Sequence, residues 1–181
     1  MCGSGTTIDV CKEENRKVIG YDIFPTRQDI IQNDSRQIHL GDSSVDMVFI
    51  DSPYGDNINY SDNPDCIGKI SCEKVEFYQE LEKVATEIKR ILKQDKIVAW
   101  VIGDHWRSKS GFIPIGIKIY HMLKKHFKPL DIVCLTRRNQ TSNTPLWKQR
   151  AIQNNFYLRG FKYLFIMKKE QLKNINSTEI F

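Results

Sequence analysis

Asp46-Met47-Val48-Phe49-Ile50-Asp51-Ser52-Pro53-Tyr54 is an apolar run that ends in a carboxylate, a proline and an aromatic ring. The run is too short for a helix and is bounded by the turn-prone Gly41-Asp42-Ser43-Ser44 and by Pro53, so Asp46 to Ile50 reads as a buried strand. Its carboxyl end would then present Asp51, a turn and the Tyr54 ring at the sheet edge where open α/β sheets bind ligands.

Working outward, strand-length apolar runs alternate with longer amphipathic stretches, the pattern of a parallel α/β sheet. Upstream, Thr6 to Asn15 reads as a helix capped by Thr6 or Thr7. Lys17 to Ile23 reads as a strand, Pro25 as the opening of a short helical turn, and Asp29 to Gln32 as a weak strand ending at Asn33-Asp34. Downstream, Gly55 to Ser71 is a long polar loop, and loops of that length often carry function. Glu73 to Lys93 is the clearest helix, with Phe77, Leu81, Val84, Ile88, Ile91 and Leu92 on one stripe. Strand, helix and strand follow at Ile97–Ile102, Ile113–His126 and Leu130–Leu135. Phe156 to Met167 reads as two strand segments interrupted near Gly160, and 170–181 as a polar tail.

Length and composition, 181 residues with 40% hydrophobic and 27% charged, suit one domain. No apolar stretch reaches 18 residues and the first residues lack a signal-peptide pattern, so the expected location is cytoplasmic. The five cysteines are scattered and form no C-x-x-C pair, which argues for reduced thiols and against a zinc site. Charge is uneven: residues 1–103 carry 12 Lys or Arg against 18 Asp or Glu, a balance of −6, whereas 104–181 carry 15 against 4, or +11. A basic half of this kind fits either a polyanion partner such as nucleic acid or a solvated Lys-rich face.

The start of the chain, Met1-Cys2-Gly3-Ser4-Gly5-Thr6-Thr7, places two glycines ahead of a helix. Glycines let backbone approach a ligand closely, and a helix N-terminus offers free amides to a carboxylate or phosphate. Asp22, at the tip of the next strand, can accept both hydroxyls of a ribose. A turn in a flexible N-terminus is the plainer alternative for the glycines.

Together these stretches resemble the DNA methyltransferases that modify exocyclic amino groups, N4 of cytosine or N6 of adenine. Gly3-Ser4-Gly5-Thr6-Thr7 looks like the tail of their cofactor motif, usually D-P-F-x-G-S-G-T-T. Asp51-Ser52-Pro53-Tyr54 resembles their catalytic motif, [DNS]-P-P-[YFW], with Ser52 in place of its first proline. Asn155 to Ile166 resembles the closing hairpin. The resemblance runs from Met1 to about Lys169. It implies a Rossmann-like class I methyltransferase sheet with helices on both faces, over a catalytic domain at 1–169. The strand that would end in Asp-Pro-Phe is not in the sequence, so the first central strand is expected to be missing or truncated and its neighbours to lack ladder partners.

The resemblance further implies S-adenosylmethionine as cofactor, with Gly3, Ser4, Gly5 and Thr6 against its methionine part, Asp22 on the ribose and Asp34 near the adenine amine. Asp34 is equally suited to capping a helix. Asp51 and the Ser52 or Pro53 carbonyl would hold the target amine, and Tyr54 would stack on a base turned out of the duplex. Neither a metal nor a covalent cysteine is needed. DNA contacts are expected from Asn57 and Tyr60 after the catalytic turn, and from Arg137, Arg138, Trp147 and Lys148 in the segment 136–150, which as plain sequence could also be a solvated loop. Asp104-His105-Trp106, at the end of the Ile97–Ile102 strand, offers an acid-base pair, but methyl transfer needs no histidine base, so His105 reads as structural or substrate-adjacent. Two other readings stand beside this one: an RNA guanine-N2 methyltransferase, and an inactive fragment or nucleic-acid-binding subunit completed by another chain.

Overall fold

The computed structural model describes residues 1–136, 144–158 and 160–170; the candidate DNA contacts Arg137 and Arg138 lie outside the described residues. Along the chain run α1 (Thr6–Glu13), β1 (Gly20–Asp22), β2 (Ile30–Gln32), β3 (Val45–Asp51), α2 (Val75–Ile91), β4 (Leu92–Ile102), β5 (His105–Arg107), β6 (Gly111–Ile113), α3 (Ile115–Lys124), β7 (Lys128–Thr136), α4 (Pro145–Gln153) and β8 (Phe161–Lys168).

The strands form three ladders. β1 and β2 pair in parallel, β3-β4-β8-β7 make a four-stranded sheet, and β5-β6 is a small antiparallel hairpin. Within the main sheet β3 and β4 are parallel, while β8 runs antiparallel to both β4 and β7. Helices alternating with parallel strands give the Rossmann-like α/β architecture that the sequence pattern implies. The core lies where α2 and α3 meet β4 and β8. Phe77, Leu81, Val84 and Ile88 from α2, Ile119 and Leu123 from α3, and Trp100 and Phe165 from the sheet are all buried there.

Several elements differ from their sequence reading, each for a local reason. The cap of α1 is Gly5, at φ 84° and with no side-chain cap bond, rather than Thr6 or Thr7, which are already inside the helix. Pro25 opens bends and a turn, not a helix. β3 is a strand, but of its residues only Ile50 is buried; Met47 is 57% and Phe49 44% exposed. The cause is topological: β3 ends the main sheet and β1 ends the two-stranded one, so the apolar flank of β3 faces open space. The segment 136–150 is not wholly a loop, since Thr144 accepts from the Trp147 amide at 3.4 Å and Pro145 starts α4. Finally, only Phe161–Lys168 of the closing stretch is strand; Phe156 to Leu158 are outside any element.

Candidate active site

β1, β3 and the glycine segment all reach one cavity of about 1870 Å3. Its lining includes Gly3, Ser4, Thr6, Asp22 and Asp34 together with Asp51, Ser52, Pro53, Tyr54, Asn57 and Tyr60. Two stretches well separated in sequence are therefore neighbours in space. Gly5 is set back from the cavity as the helix cap, while Trp147 and Lys148 sit on α4, outside the cavity lining.

Asp22 is tied into the glycine segment. Its Oδ2 accepts from the amides of Cys2 (2.8 Å) and Gly3 (2.9 Å), and Oδ1 accepts from the Phe24 amide (3.1 Å). A carboxylate has about four acceptor positions, so one on Oδ1 stays available to a ligand hydroxyl. A second clamp, which sequence reasoning missed, is Arg27. Its guanidinium donates to the Ser4 carbonyl (3.0 Å) and pairs with both Asp9 and Asp29. Any side chain at Gly5 would meet it, since a Cβ there would lie 2.7 Å from Arg27 Nη1. Arg27 first, then Lys12, holds the Asp29 carboxyl down at about 2. Gly3, at φ 55°, has open space where a side chain would stand. Such a loop, with the first-turn amides of α1 behind it, fits the carboxylate and ribose of a nucleoside-type ligand. At Asp34, burial alone would raise the carboxyl, but Arg36, bonded at 2.5 Å, holds it below the usual carboxylate range. Arg36 also reaches Glu80 on α2, so this pair ties the cavity wall to the core helix.

At the turn after β3, the Asp51 side chain is 47% exposed and engaged on both oxygens. The Tyr54 hydroxyl donates to Oδ1 at 2.8 Å and the Lys162 ammonium, from β8, donates to Oδ2 at 3.0 Å. The same ammonium stands 5.0 Å over the Tyr54 ring. Lys162 is 111 residues from Asp51 in sequence, and nothing local to either position announces the pair. The Tyr54 ring is not held out as the turn alone suggests: at 8% exposure it is packed in the core cluster while still lining the cavity, and it lies edge-on to His105 at 6.3 Å.

Ser52 has a physical reason to depart from proline. It is buried, and its Oγ accepts the indole N–H of the fully buried Trp100 at 2.9 Å. Beyond the turn, Gly55 at φ 98° packs so closely that a Cβ would lie 2.8 Å from the Cys72 backbone nitrogen, which pins the loop's start. Tyr60 closes the base of the loop: its hydroxyl accepts from the Tyr54 amide (3.3 Å) and donates to Asn57 (3.5 Å). Burial, foremost, raises the Tyr60 phenol, so it stays a protonated donor. Asp104 accepts from the Gly116 amide and from the Tyr163 hydroxyl, and both it and His105 line the cavity. Beside His105, Trp106 and Phe156 stack at 4.8 Å. Among the described residues no cluster of His, Cys, Asp or Glu is arranged to hold a metal ion.

A Rossmann-like sheet whose strand ends, a glycine segment and an acidic-serine-proline-aromatic turn share one cavity has its ligand place at the carboxyl edge, as open α/β sheets do, and is the arrangement expected of an amino-directed methyltransferase. The model of the DNA methylase family of N6 and N4 enzymes matches residues 45–180, and this chain belongs to that family. It is 26% identical over 141 residues to the orphan methyltransferase M.BamHII of Bacillus amyloliquefaciens, a match covering 76% of this chain and 43% of that protein. The chain thus spans less than half the length of this curated relative. Among solved structures, a protein of Thermus thermophilus assigned as a DNA modification methylase, in complex with S-adenosyl-L-methionine, superposes with a TM-score of 0.54. It is 17% identical over 85% of this chain and 54% of its own. A SAM-dependent methyltransferase of Methanosarcina mazei gives 0.55, at 12% identity over 93% of this chain and 89% of its own. These two likenesses speak to fold. Among the described residues no helix is long and apolar enough to cross a membrane.

Proposed function

We propose that the cavity binds S-adenosylmethionine and that the site transfers its methyl group to the exocyclic amine of cytosine (N4) or adenine (N6) in DNA. The observation that carries this reading is that the glycine segment and the Asp51-Ser52-Pro53-Tyr54 turn line one cavity, with a half-exposed carboxylate facing it. Gly3, Ser4 and the α1 amides would hold the methionine part, Asp22 Oδ1 the ribose, and the Asp34 side of the cavity the adenine. The donor's sulfonium makes the methyl electrophilic, so no metal or covalent intermediate is required.

This chain's own task is the amine. Its lone pair is delocalised into the base and must be localised and aimed. Asp51 is the candidate catalytic residue. Both its oxygens are already fixed, by Tyr54 and by Lys162, and each retains a lone pair for an N–H of the target. A carboxylate whose orientation is set beforehand need not reorganise when charge develops on the nitrogen. The Tyr54 ring is packed in the core cluster under the Lys162 ammonium, so the mutually stacked Trp106 and Phe156 join Tyr60 and Asn57 as candidates for contact with the base. Arg137, Arg138, Trp147 and Lys148 remain the proposed phosphate and base contacts outside the cavity. Open ladder edges beside the site favour a second reading as well, that methyl transfer needs a further polypeptide to complete the sheet.

Labelled-methyl transfer to duplex DNA and to tRNA, alongside calorimetric titration of the donor, tests the proposal. Asp51→Ala should lower methylation of DNA by at least about 100-fold, the usual cost of losing a preorganised polar group, while donor affinity changes little. Full activity in that variant, or label on tRNA alone, refutes it.

A further inference from the structure

We propose that the β5-β6 hairpin is a wedge for duplex DNA: its exposed aromatic face, Trp106 and Phe112 buttressed by Phe156, stacks in the gap that an extruded nucleotide leaves behind. This inference rests on the reading of the cavity as a site for a base turned out of the duplex, and it assigns the Trp106–Phe156 stack to the bases that stay in the helix.

The first observation is that the hairpin has two unlike faces. His105 pairs with Ile113, Trp106 with Phe112 and Arg107 with Gly111. Directly opposite residues of an antiparallel ladder share a face and successive residues alternate, so Trp106 and Phe112 stand together on one face, with His105, Arg107 and Ile113 on the other. The surroundings of each face agree. On the inner face His105 lines the cavity, edge-on to Tyr54, and Ile113 is buried in the core cluster. On the outer face Trp106 is 40% and Phe112 53% exposed, and neither lines the cavity. A ribbon one layer thick thus separates the cavity from the aromatic surface, which is the place of a divider between an extruded base and the duplex it left.

The second observation is a rigid root. Arg107 donates to Ser71 at 3.3 Å and to Glu73 at 2.9 Å, just ahead of α2, and to Asp56, two residues after Tyr54. Ser110, in the turn of the hairpin, also donates to Glu73. The hairpin, the loop after the catalytic turn and the approach to α2 are therefore clamped together. A wedge has to hold its position relative to Asp51 while bases are pushed apart, and this clamp provides it.

The third observation is the chemistry of the outer face, which decides the occupant. Trp106 stacks on Phe156 with 20° between the ring planes, and Phe156 is held by its amide bond to the Ala151 carbonyl of α4 at 3.0 Å. The same helix carries the exposed Lys148 and the 39% exposed Trp147, with the Arg150 guanidinium 5.1 Å over that ring, and the turn of the hairpin carries the exposed Lys109. Neither His105–Ile113 nor the stretch 144–158 contains an Asp or Glu. Aromatic rings interleaved with cations, and no carboxylate among them, suit stacked bases on a phosphate backbone.

The test is fluorescence anisotropy of the full 181-residue chain with two labelled short duplexes of one sequence, one intact and one with a single abasic site at its centre. The abasic duplex offers the gap ready-made, so the chain should bind it about tenfold or more tightly. Trp106→Ala and Phe112→Ala should each erase most of that preference, whereas Trp106→Tyr, which keeps a ring, should retain it. Lys148→Ala should weaken both duplexes alike and leave the preference standing. Both aromatic positions are exposed, and Phe112→Ala, at the more exposed one, keeps the test open should Trp106→Ala unfold. Labelled-methyl transfer is read separately: an aromatic-dependent preference without transfer to DNA keeps the wedge and refutes the reaction, and transfer without the preference refutes the wedge alone. The proposal is overturned if the parent binds both duplexes equally, or if the folded alanine variants keep the preference or lose affinity for both duplexes to the same extent.

Discussion

Ser52 shows how one side chain serves both the core and the site. The indole N–H of Trp100 is fully buried and has Ser52 Oγ as its partner, so the turn that aims Asp51 into the cavity is anchored from below. Ser52→Ala removes the acceptor and leaves a buried donor unmet, at a cost of about 1–3 kcal/mol. Urea unfolding should show that loss, and Ser52→Thr, which keeps the hydroxyl, should recover most of it; an alanine variant as stable as the parent would mean that the bond contributes nothing. Lys162 works at the same scale from the opposite side, bonding Asp51 and covering the Tyr54 ring. The Asp-Ser-Pro-Tyr turn is legible in the sequence because its residues are contiguous. Its Lys162 partner is not, since the contact is made by an antiparallel return of the chain that no local pattern encodes.

At the scale of elements, α2 is the most legible because every member of its apolar stripe that the sequence names within Val75–Ile91 is buried. α4 escapes because none of its residues is buried, so it has no stripe. Its readable signal is the cap pair Thr144-Pro145 rather than periodicity. The β5-β6 hairpin has three-residue strands, below the length at which alternation can be recognised. The join of α1 to β2 depends on Arg27, which links Asp9 on the helix to Asp29 just before the strand and to the Ser4 carbonyl. Arg27 leads in depressing Asp29 to about 2 from 3.8, and it also lowers Asp9. A carboxyl depressed in the folded state stabilises it fully above the unfolded pKa, and that contribution fades as pH falls through the folded one. Arg27→Met should therefore lower Tm above about pH 4, with the difference shrinking toward pH 2 and with added salt, because the cluster is exposed. A difference independent of pH would assign the effect to packing instead.

Across the whole molecule, the two charge balances are used differently. In the acidic N-terminal part, Asp9, Asp29, Asp34, Asp42, Glu80 and Glu87 are matched internally by Arg27, Arg36 and Arg90. In the basic part, Lys109 and Lys148 make no ion pair among the described residues, and Lys148 stands exposed on α4 with Arg150 lying over Trp147 one residue before it. Cations without internal partners are the ones free to replace counterions on a phosphate backbone. If Lys148 does so, each phosphate neutralised contributes about −0.9 to the slope of log K against log salt on duplex DNA. Lys148→Ala should then weaken binding to all duplex sequences alike and make the slope shallower by about 0.9, as read by fluorescence anisotropy between about 50 and 200 mM salt. A variant with an unchanged slope would place α4 away from the phosphates, and the DNA would have to be gripped from the β5-β6 side, where Lys109 and the Trp106–Phe156 stack lie.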